Sequence, residues 1–155
     1  MPQYEIRAFN MVDAETVAHW ASTEIDVWRL TGESSSRLDP ETVVAWSWET
    51  HFSFTLRYDG DLVAYAEVLE DDVDNDVEIQ HLLVAPDFRG MGVGRAMLTR
   101  VCAFIAEGRP YKEVWMRVGR DNEPGARCAL AVGFVLDEQQ SGPRYGWYRK
   151  NLKVI

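Results

Sequence analysis

The sequence predicts one α/β domain spanning residues 1–155, built around a mixed, mostly antiparallel sheet. A length of 155 residues suits a single domain, and 46% hydrophobic with 26% charged residues is an ordinary globular balance. Segments of alternating apolar and polar residues fill the middle of the chain and predict strands. One helical segment lies between two strands around residues 79 to 118. Such a long crossover joins parallel strands, so the sheet is expected to be mixed.

The first third of the chain predicts a short strand followed by helices. "QYEIRAF" has apolar side chains at alternate positions and predicts the first strand. "NMVDAETVAHWAS" predicts the first helix, with Asp13 as its N-cap. Residues 23–40 show little periodicity, and "TGESSSRLDPE" predicts a loop. Asp39 and Pro40 then begin a further helix that runs through Trp46.

Three consecutive strands are predicted next. "HFSFTLRY" alternates cleanly between apolar and polar residues, and "LVAYAEVLE" is the returning strand. Asp59-Gly60 between them is a dipeptide favoured in two-residue hairpin turns, where both central positions need positive φ. "EDDVDNDVE" forms the next turn and "VEIQHLLVA" the next strand.

The last third alternates between helices and strands. From Val93 the apolar residues recur at helical spacing until Gly108 and Pro110 end the helix. "EVWMRV" predicts a strand and "NEPGARCALAV" a helix that Gly133 ends. "FVLDE" and "GWYRKNL" predict the last two strands, which gives the order β-α-(α)-β-β-β-α-β-α-β-β.

The overall charge argues against a nucleic-acid partner. The formal net charge is -9, and no basic stripe that could displace counterions is visible. No apolar stretch is long enough to span a bilayer, and "MPQYEIRAFN" lacks the features of a signal peptide. The sequence therefore predicts a cytoplasmic protein without a membrane partner, and its acidity weakly favours cationic small molecules or peptides.

No metal site is expected from the spacing of possible ligands. Cys102 and Cys128 fall in predicted helices and are interpreted as reduced, partly buried thiols. The histidines His19, His51 and His81 lie far apart in the sequence.

The acidic turn "EDDVDNDVE" holds six acidic residues within nine positions. Asp72, Asp74 and Asp76 have the spacing of a calcium loop, but Val77 and Leu83 stand where an EF-hand needs Gly and Glu. We interpret the segment as a solvated hairpin turn, with attraction of a cationic amine as the alternative.

The segment "PDFRGMGVGRAML" is the main candidate for a binding loop. Gly90, Gly92 and Gly94 alternate directly before a helix, between Arg89 and Arg95. The first amides of a helix lack internal partners and carry partial positive charge, so glycines there leave room for an anion such as a diphosphate. The spacing fits neither the dinucleotide fingerprint nor the P-loop. A tight turn that merely needs glycine is the structural alternative.

Two segments resemble motifs of the GCN5-related N-acetyltransferases (GNAT). "IQHLLVAPDFRGMGVGRAML" is similar to the family's acetyl-CoA-binding motif, and "VGRDNEPGARCALAVGF" resembles its next motif. The order of elements matches along nearly the whole chain. The resemblance implies about seven twisted strands flanked by about four helices, with the sheet splayed between the fourth and fifth strands and acyl-CoA in that cleft. It also implies that the chain is an N-acetyltransferase, often dimeric.

The resemblance assigns specific residues to acetyl-CoA. The pyrophosphate is expected on the amides of Arg89 to Arg95, and the backbone of Leu82 and Val84 is expected along the pantetheine arm. Asn122 is expected on the other side of the splay, although it is also a plausible helix cap. The set of cofactor-binding residues is therefore Leu82, Val84, Arg89, Gly90, Gly92, Val93, Gly94, Arg95 and Asn122.

Amine acetylation needs a group that removes a proton, because a primary amine with a pKa of about 10 is mostly protonated near pH 7. Glu78 is the first choice of base, since it precedes the cofactor motif where similar enzymes place Glu or His. A solvated Glu78 is the alternative. Gln80 shares its face and could orient a water, and the amide of Val84 is the candidate oxyanion donor. His81 faces the other side of a regular strand, but a bulge would turn it inward.

The residue that would protonate the departing thiolate is not evident. Ala129 occupies the position where the family often has a tyrosine, and Tyr145 and Tyr148 are the remaining candidates. This gap keeps a catalytically idle acyl-CoA-binding module as an alternative, beside a nucleotide-binding or interaction domain.

The acceptor itself is open: an antibiotic amine, a polyamine, an amino acid or a protein terminus. The aromatic residues Trp28, Trp46, Trp48 and Phe52 are interpreted as core packing, with an acceptor wall as the alternative.

Overall fold

A computed structural model describes residues 3–50, 52–71 and 73–152 of the chain. Its seven strands are β1 (Tyr4–Ala8), β2 (Phe52–Tyr58), β3 (Asp61–Asp71), β4 (Asp76–Val84), β5 (Glu113–Gly119), β6 (Val135–Asp137) and β7 (Tyr145–Asn151). The α-helices of the described residues are α1 (Ala14–His19), α2 (Glu24–Thr31), α3 (Pro40–Glu49), α4 (Val93–Gly108) and α5 (Glu123–Val132). His51 and Asp72, which the sequence predicts in a strand and in the acidic turn, lie outside the described residues.

All seven strands form one sheet in the order β1-β2-β3-β4-β5-β7-β6. Every neighbouring pair is antiparallel except β4 and β5, which run parallel. The mixed sheet predicted from the crossover is therefore confirmed. Helix α4 makes that crossover, because it leaves β4 and returns the chain to the start of β5.

Apolar cores cover both faces of the sheet. On one face α4 and α5 bury residues such as Met97, Leu98 and Ala129 against the strands. On the other face α1, α2 and α3 bury Val17, Val27 and Val43. Alternation along β3 divides its side chains between the two cores. Each strand thus presents a defined face to the helices above and below it.

The sheet opens between β4 and β5, as the resemblance implied. Their pairing comprises Glu78 with Trp115 and Ile79 with Met116. Past these pairs, β4 continues to Val84 against β3, and β5 continues to Gly119 against β7. The two strands therefore leave a wedge between them, and their facing backbone edges are unpaired with each other.

Several local predictions hold in detail. Asp59 and Gly60 both have positive φ, +48° and +91°, as the hairpin dipeptide required. Helix α4 begins at Val93 and ends at Gly108. Gly133 ends α5 with a φ of +104°.

Helix α2 was not predicted, because residues 23–40 show little periodicity; the structure places a helix at Glu24–Thr31. Thr23 caps α2 by accepting a bond from the amide of Asp26 at 3.2 Å, and Gly32 ends it in the left-handed conformation. Its weak apolar pattern hid it, since Ile25 and Trp28 are exposed. The predicted loop therefore begins only after Thr31.

Asp13 stands at the predicted N-cap position of α1, but its side chain makes no capping bond. Its carboxylate faces Arg57 at 3.4 Å instead. Within the described part of the chain, no helix has the length and apolar character needed to cross a membrane.

Candidate active site

The start of α4 is an open array of backbone amides at the mouth of the wedge. Gly90 and Gly92 have φ values of +76° and +85°, which only glycine adopts without strain. Gly92 is the N-cap and makes no side-chain capping bond, and no acidic residue occupies the first turn. The amides that open α4 thus lack both a side-chain cap and an acidic residue in the first turn, and the Asp26 carboxylate pairs with Arg89 at 3.4 Å.

The space around these glycines is free. A Cβ added to Gly90 or Gly92 would meet no atom within 4 Å, and residues 89–92 are exposed. Gly94 differs, because its added Cβ would lie 3.0 Å from Cys128 Sγ on α5. Gly94 therefore serves the close packing of α4 on α5, whereas Gly90 and Gly92 leave the loop accessible to a ligand.

The two flanking arginines play different parts. Arg89 Nε donates to the carbonyl of Val84 at 3.1 Å, and a terminal nitrogen donates to the carbonyl of Trp20 at 2.8 Å. Its backbone amide donates to the carbonyl of Pro86 at 3.3 Å, so Arg89 holds the loop against the sheet. Arg95 is exposed and forms no ion pair with any other described residue.

Leu82, Val84 and Val93 turn their side chains into the core. Leu82 and Val84 pack against the apolar cluster beneath α4, and Val93 is buried. These residues therefore leave only their backbones available to a ligand, and their contact with acetyl-CoA stays a prediction.

Asn122 is the N-cap of α5, which is the structural role that the sequence analysis gave as an alternative to cofactor binding. Its side-chain oxygen accepts a bond from the amide of Gly125 at 3.0 Å. The backbone N–H of Asn122 donates a second bond, to the carbonyl of Gly119 at 2.9 Å. The cap fixes the chain directly after β5, the strand that faces β4 across the wedge.

Strand β4 carries a bulge at His81. The pairing with β3 shifts between Tyr65 and Glu67, and His81 has a φ of +50°. The bulge turns the His81 side chain to the face covered by α1–α3, where a regular strand would have placed it on the other face. The alternative in which a bulge turns His81 inward is the one that the structure adopts.

A buried carboxylate lies beside the bulge. Glu67 on β3 is fully buried, with 0% of its surface exposed. Its Oε1 lies 2.6 Å from His81 Nδ1, and its Oε2 accepts a bond from the Tyr65 hydroxyl. Burial, and then the negative charge of Glu67, raise the pKa of Tyr65, so the hydroxyl stays protonated and donates. The indole of Trp46 on α3 stacks on the His81 ring at 3.8 Å.

Glu67 is the residue that sequence reasoning missed. It stands within "LVAYAEVLE" between the apolar pairs Tyr65-Ala66 and Val68-Leu69, and a charged residue inside such a strand is costly unless it is paired. A charged residue among apolar ones was therefore the sequence feature that could have identified Glu67. Its partner could not be read from the sequence, because the pairing depends on the bulge in the neighbouring strand.

Glu78 lines a cavity of about 360 Å³ on the same face of the sheet. Trp115 and Trp147 form part of its wall. Burial raises the pKa of Glu78, against the lowering effects of a bond with Gln80 and the charge of Arg117. Glu78 pairs with Trp115, so it lies where the sheet is still closed and before the wedge begins.

The candidates for a proton donor occupy different surroundings. Ala129 on α5 is fully buried, and Tyr148 is 8% exposed within the same core. Tyr145 is half-buried, and the guanidinium of Arg117 lies over its ring at 4.7 Å. Tyr145 is thus the tyrosine of this pair that borders an open surface.

The remaining polar groups form no second centre in the described residues. No cluster of three or more His, Cys, Asp or Glu suited to a metal ion occurs there. The Asp71 carboxylate accepts bonds from the amides of Val73 and Asp74, and residues 73–75 form a turn. Cys102 and Cys128 are free thiols, and burial raises the pKa of Cys102 to about 12.

The architecture matches known acetyltransferases at the level of the fold. A Salmonella typhimurium protein solved with its cofactor acetyl-CoA superposes with a TM-score of 0.73 at 17% identity, over 98% of this chain and 95% of that one. The open mixed sheet with a glycine-initiated helix after its fourth strand is therefore a known fold class.

The chain belongs to the Acetyltransferase (GNAT) family, whose sequence pattern matches residues 18–134. Members of this family use acetyl-CoA as co-substrate. An uncharacterized N-acetyltransferase of Mycobacterium tuberculosis is 32% identical over 101 residues, which cover 65% of this chain and 63% of that protein. The streptothricin acetyltransferase of Streptomyces lavendulae is 32% identical over 78 residues, or 50% of this chain and 41% of that protein. The matched region thus spans less than two thirds of these relatives' length.

Proposed function

We propose that this protein transfers the acetyl group of acetyl-CoA to a primary amine of a small molecule or peptide. The observation that carries the proposal is the uncapped start of α4, which opens beside the wedge between β4 and β5. A diphosphate on one side and an extended arm along the other would use both features at once. Family membership supports the reaction class.

The glycine loop and the first turn of α4 would hold acetyl-CoA through their backbone amides. The amides of Gly90, Gly92, Val93, Gly94 and Arg95 form the proposed diphosphate site, because the space at Gly90 and Gly92 is open and the first turn of α4 holds no acidic residue. When bound, acetyl-CoA supplies an acetyl group activated as a thioester.

The strands on either side of the wedge hold the proposed arm. The backbone edges of Leu82 and Val84 line one side, and Asn122 borders the other. The guanidinium of Arg89 keeps the loop against β4 through its bond to Val84. We assign the amide of Val84 to the thioester carbonyl, where a fixed donor stabilises developing negative charge.

The amine must lose a proton, and β4 offers two groups on the same face. Glu78 is the first choice from the sequence, and its raised pKa suits a carboxylate that accepts a proton. His81 is the second choice, and the bulge brings it to that face. Transfer to an amine is proposed with either base.

One observation favours a second candidate function, acyl-CoA binding without turnover. Ala129 is fully buried at the position where the family often has a tyrosine, so no hydroxyl from α5 reaches the wedge there. A thiolate is only modestly basic and can leave without a protein donor. We therefore place the transferase first.

Labelled acetyl-CoA offered to four amines tests the proposal. Spermidine, streptothricin, an amino acid and a peptide with a free N-terminus cover the open acceptor classes. The expected result is a labelled amide from at least one amine, with one free CoA thiol released per amide formed. Tight CoA binding without any transfer would establish the binding module instead. Calorimetric binding of ATP or NAD in preference to CoA would contradict both functions.

A further inference from the structure

We propose that His81 takes the proton from the acceptor amine and that the buried Glu67 positions His81 for this step. The inference rests on the proposed transferase function and names the base of that site, together with a residue that acts through it.

His81 lies where the wedge opens. Pairing between β4 and β5 ends at Ile79 and Met116, and His81 follows Ile79 by two residues. Glu78 precedes the last pair and faces a closed part of the sheet. A group that must meet a thioester held between the separated strands is therefore better placed at His81 than at Glu78.

The backbone of His81 is held in an unfavourable conformation. A φ of +50° is strained in a residue other than glycine and persists only where its surroundings stabilise it. Glu67 and Trp46 supply those surroundings through a 2.6 Å contact and a parallel ring stack. These contacts fix the ring plane, while 21% of the side chain remains exposed and reachable.

The hydrogen bonds of Glu67 determine which His81 nitrogen is free. The Tyr65 hydroxyl donates to Oε2, and Oε1 faces Nδ1 of His81. A carboxylate oxygen accepts, so Nδ1 carries its hydrogen toward Glu67. The lone pair of Nε2 then remains for a proton from the substrate, as in other carboxylate–histidine pairs.

Two side chains contact the His81 ring directly. Glu67 reaches Nδ1 from β3, and Trp46 stacks on the ring from α3. Glu67 is held in turn by the Tyr65 hydroxyl, so the carboxylate is fixed where it meets Nδ1.

The step balances with these groups alone. The ammonium of the acceptor gives one proton to Nε2 of His81, and its nitrogen regains a lone pair. That pair forms the new C–N bond to the acetyl carbon while the thioester C–S bond breaks and sulfur leaves with its electron pair. The nitrogen then loses its second proton to solvent, and the imidazolium returns its proton to the thiolate. No oxidant, reductant or metal is required.

The tautomer of His81 can be measured without any substrate. Nitrogen-15 NMR of the protein in the absence of ligand should show His81 protonated on Nδ1 and bare on Nε2 at high pH. Glu67→Gln should abolish that preference. A His81 ring that carries its hydrogen on Nε2 in the unsubstituted protein would overturn the proposal.

Kinetics with the best amine of the panel test the role in turnover. His81→Asn suits the left-handed backbone and should lower kcat at least about 100-fold, the range of general base catalysis, with KM for acetyl-CoA unchanged. His19→Asn, at an exposed site on α1, is the matched control and should keep full activity. Full activity of His81→Asn would contradict the proposal.

Glu67→Gln separates positioning from a purely structural role. Without the carboxylate, the ring loses the acceptor that orients Nδ1, so kcat should fall while KM for acetyl-CoA stays unchanged. A Glu67→Gln variant that is only less heat-stable, with kcat and the His81 tautomer unchanged, would overturn the positioning role. Absence of transfer to every amine would contradict the transferase function itself, whereas transfer that survives His81→Asn contradicts only the role of His81.

Discussion

At the scale of single residues, the site depends on a carboxylate whose role comes from its neighbours. Alternation predicted that Glu78 and Gln80 share a face of β4, and their side chains do bond to each other. A bulge adds one residue to one strand and inverts the faces of the residues after it. The sequence indicated His81 only as a conditional second choice for this reason. Glu67 could be flagged as an exception within an apolar strand, yet its bonds to Tyr65 and His81 arise from strand pairing alone.

The burial of Glu78 predicts an effect of pH on stability. Burial raises its pKa in the folded protein, so the protonated form is the one that the fold favours. The stability it contributes is present below the pKa of the unfolded chain and is lost as pH rises through the folded value. At pH 7, Glu78→Gln should therefore increase the free energy of unfolding, and the gain should vanish on acidification to pH 4.

Urea denaturation of both proteins at the two pH values measures this difference. Glu33→Gln, in the exposed loop after α2, is the control. Its free energy of unfolding should stay close to that of the parent at both pH values. A Glu78→Gln protein that is less stable than the parent at pH 7 would contradict a raised pKa at this position.

At the scale of elements, the glycine loop and α4 were predicted closely because their signals are local. Glycine spacing, the change of period at Val93 and the stop at Gly108 all lie within one stretch of chain. Helix α2 escaped because half of its apolar residues face solvent, although Thr23 and Gly32 marked both of its ends. The hydrogen bonds by which Arg89 holds the loop against the sheet were not predicted either. Their acceptors, the carbonyls of Val84 and Trp20, come from two other parts of the chain.

The loop predicts a selective loss of ligand affinity. Gly92→Val adds a branched side chain to open space at the helix start, so it should block a diphosphate while the fold persists. CoA affinity should fall at least tenfold, about 1.4 kcal/mol. Isothermal titration calorimetry measures the change.

Gly60→Val is the matched control for backbone strain. Gly60 also has a positive φ, +91°, and its added Cβ would also meet no atom within 4 Å, but it lies in the hairpin between β2 and β3. The Gly60→Val protein should bind CoA with the same affinity as the parent protein. Equal affinity of the Gly92→Val protein would refute the placement of the diphosphate.

At the scale of the whole molecule, the sheet is what brings the proposed groups together. The α4 loop lies at the carboxyl end of β4, the bulge lies within β4, and Asn122 follows the parallel β5. A parallel pair that separates past Ile79 places all three around one wedge. The order of elements and the crossover made this arrangement predictable, whereas the point at which the strands separate depends on packing across both cores.

The central claim is that the amides at the start of α4 hold the diphosphate of CoA while its arm lies in the wedge. Amide chemical shifts of nitrogen-15-labelled protein, titrated with CoA and separately with pantetheine, test it most directly. CoA should shift Gly90 and residues 92–95 together with residues 80–84 and 117–119, and pantetheine, which lacks the diphosphate, should shift only the two strand segments. Loop amides that stay unmoved by CoA, or that respond equally to pantetheine, would contradict the account.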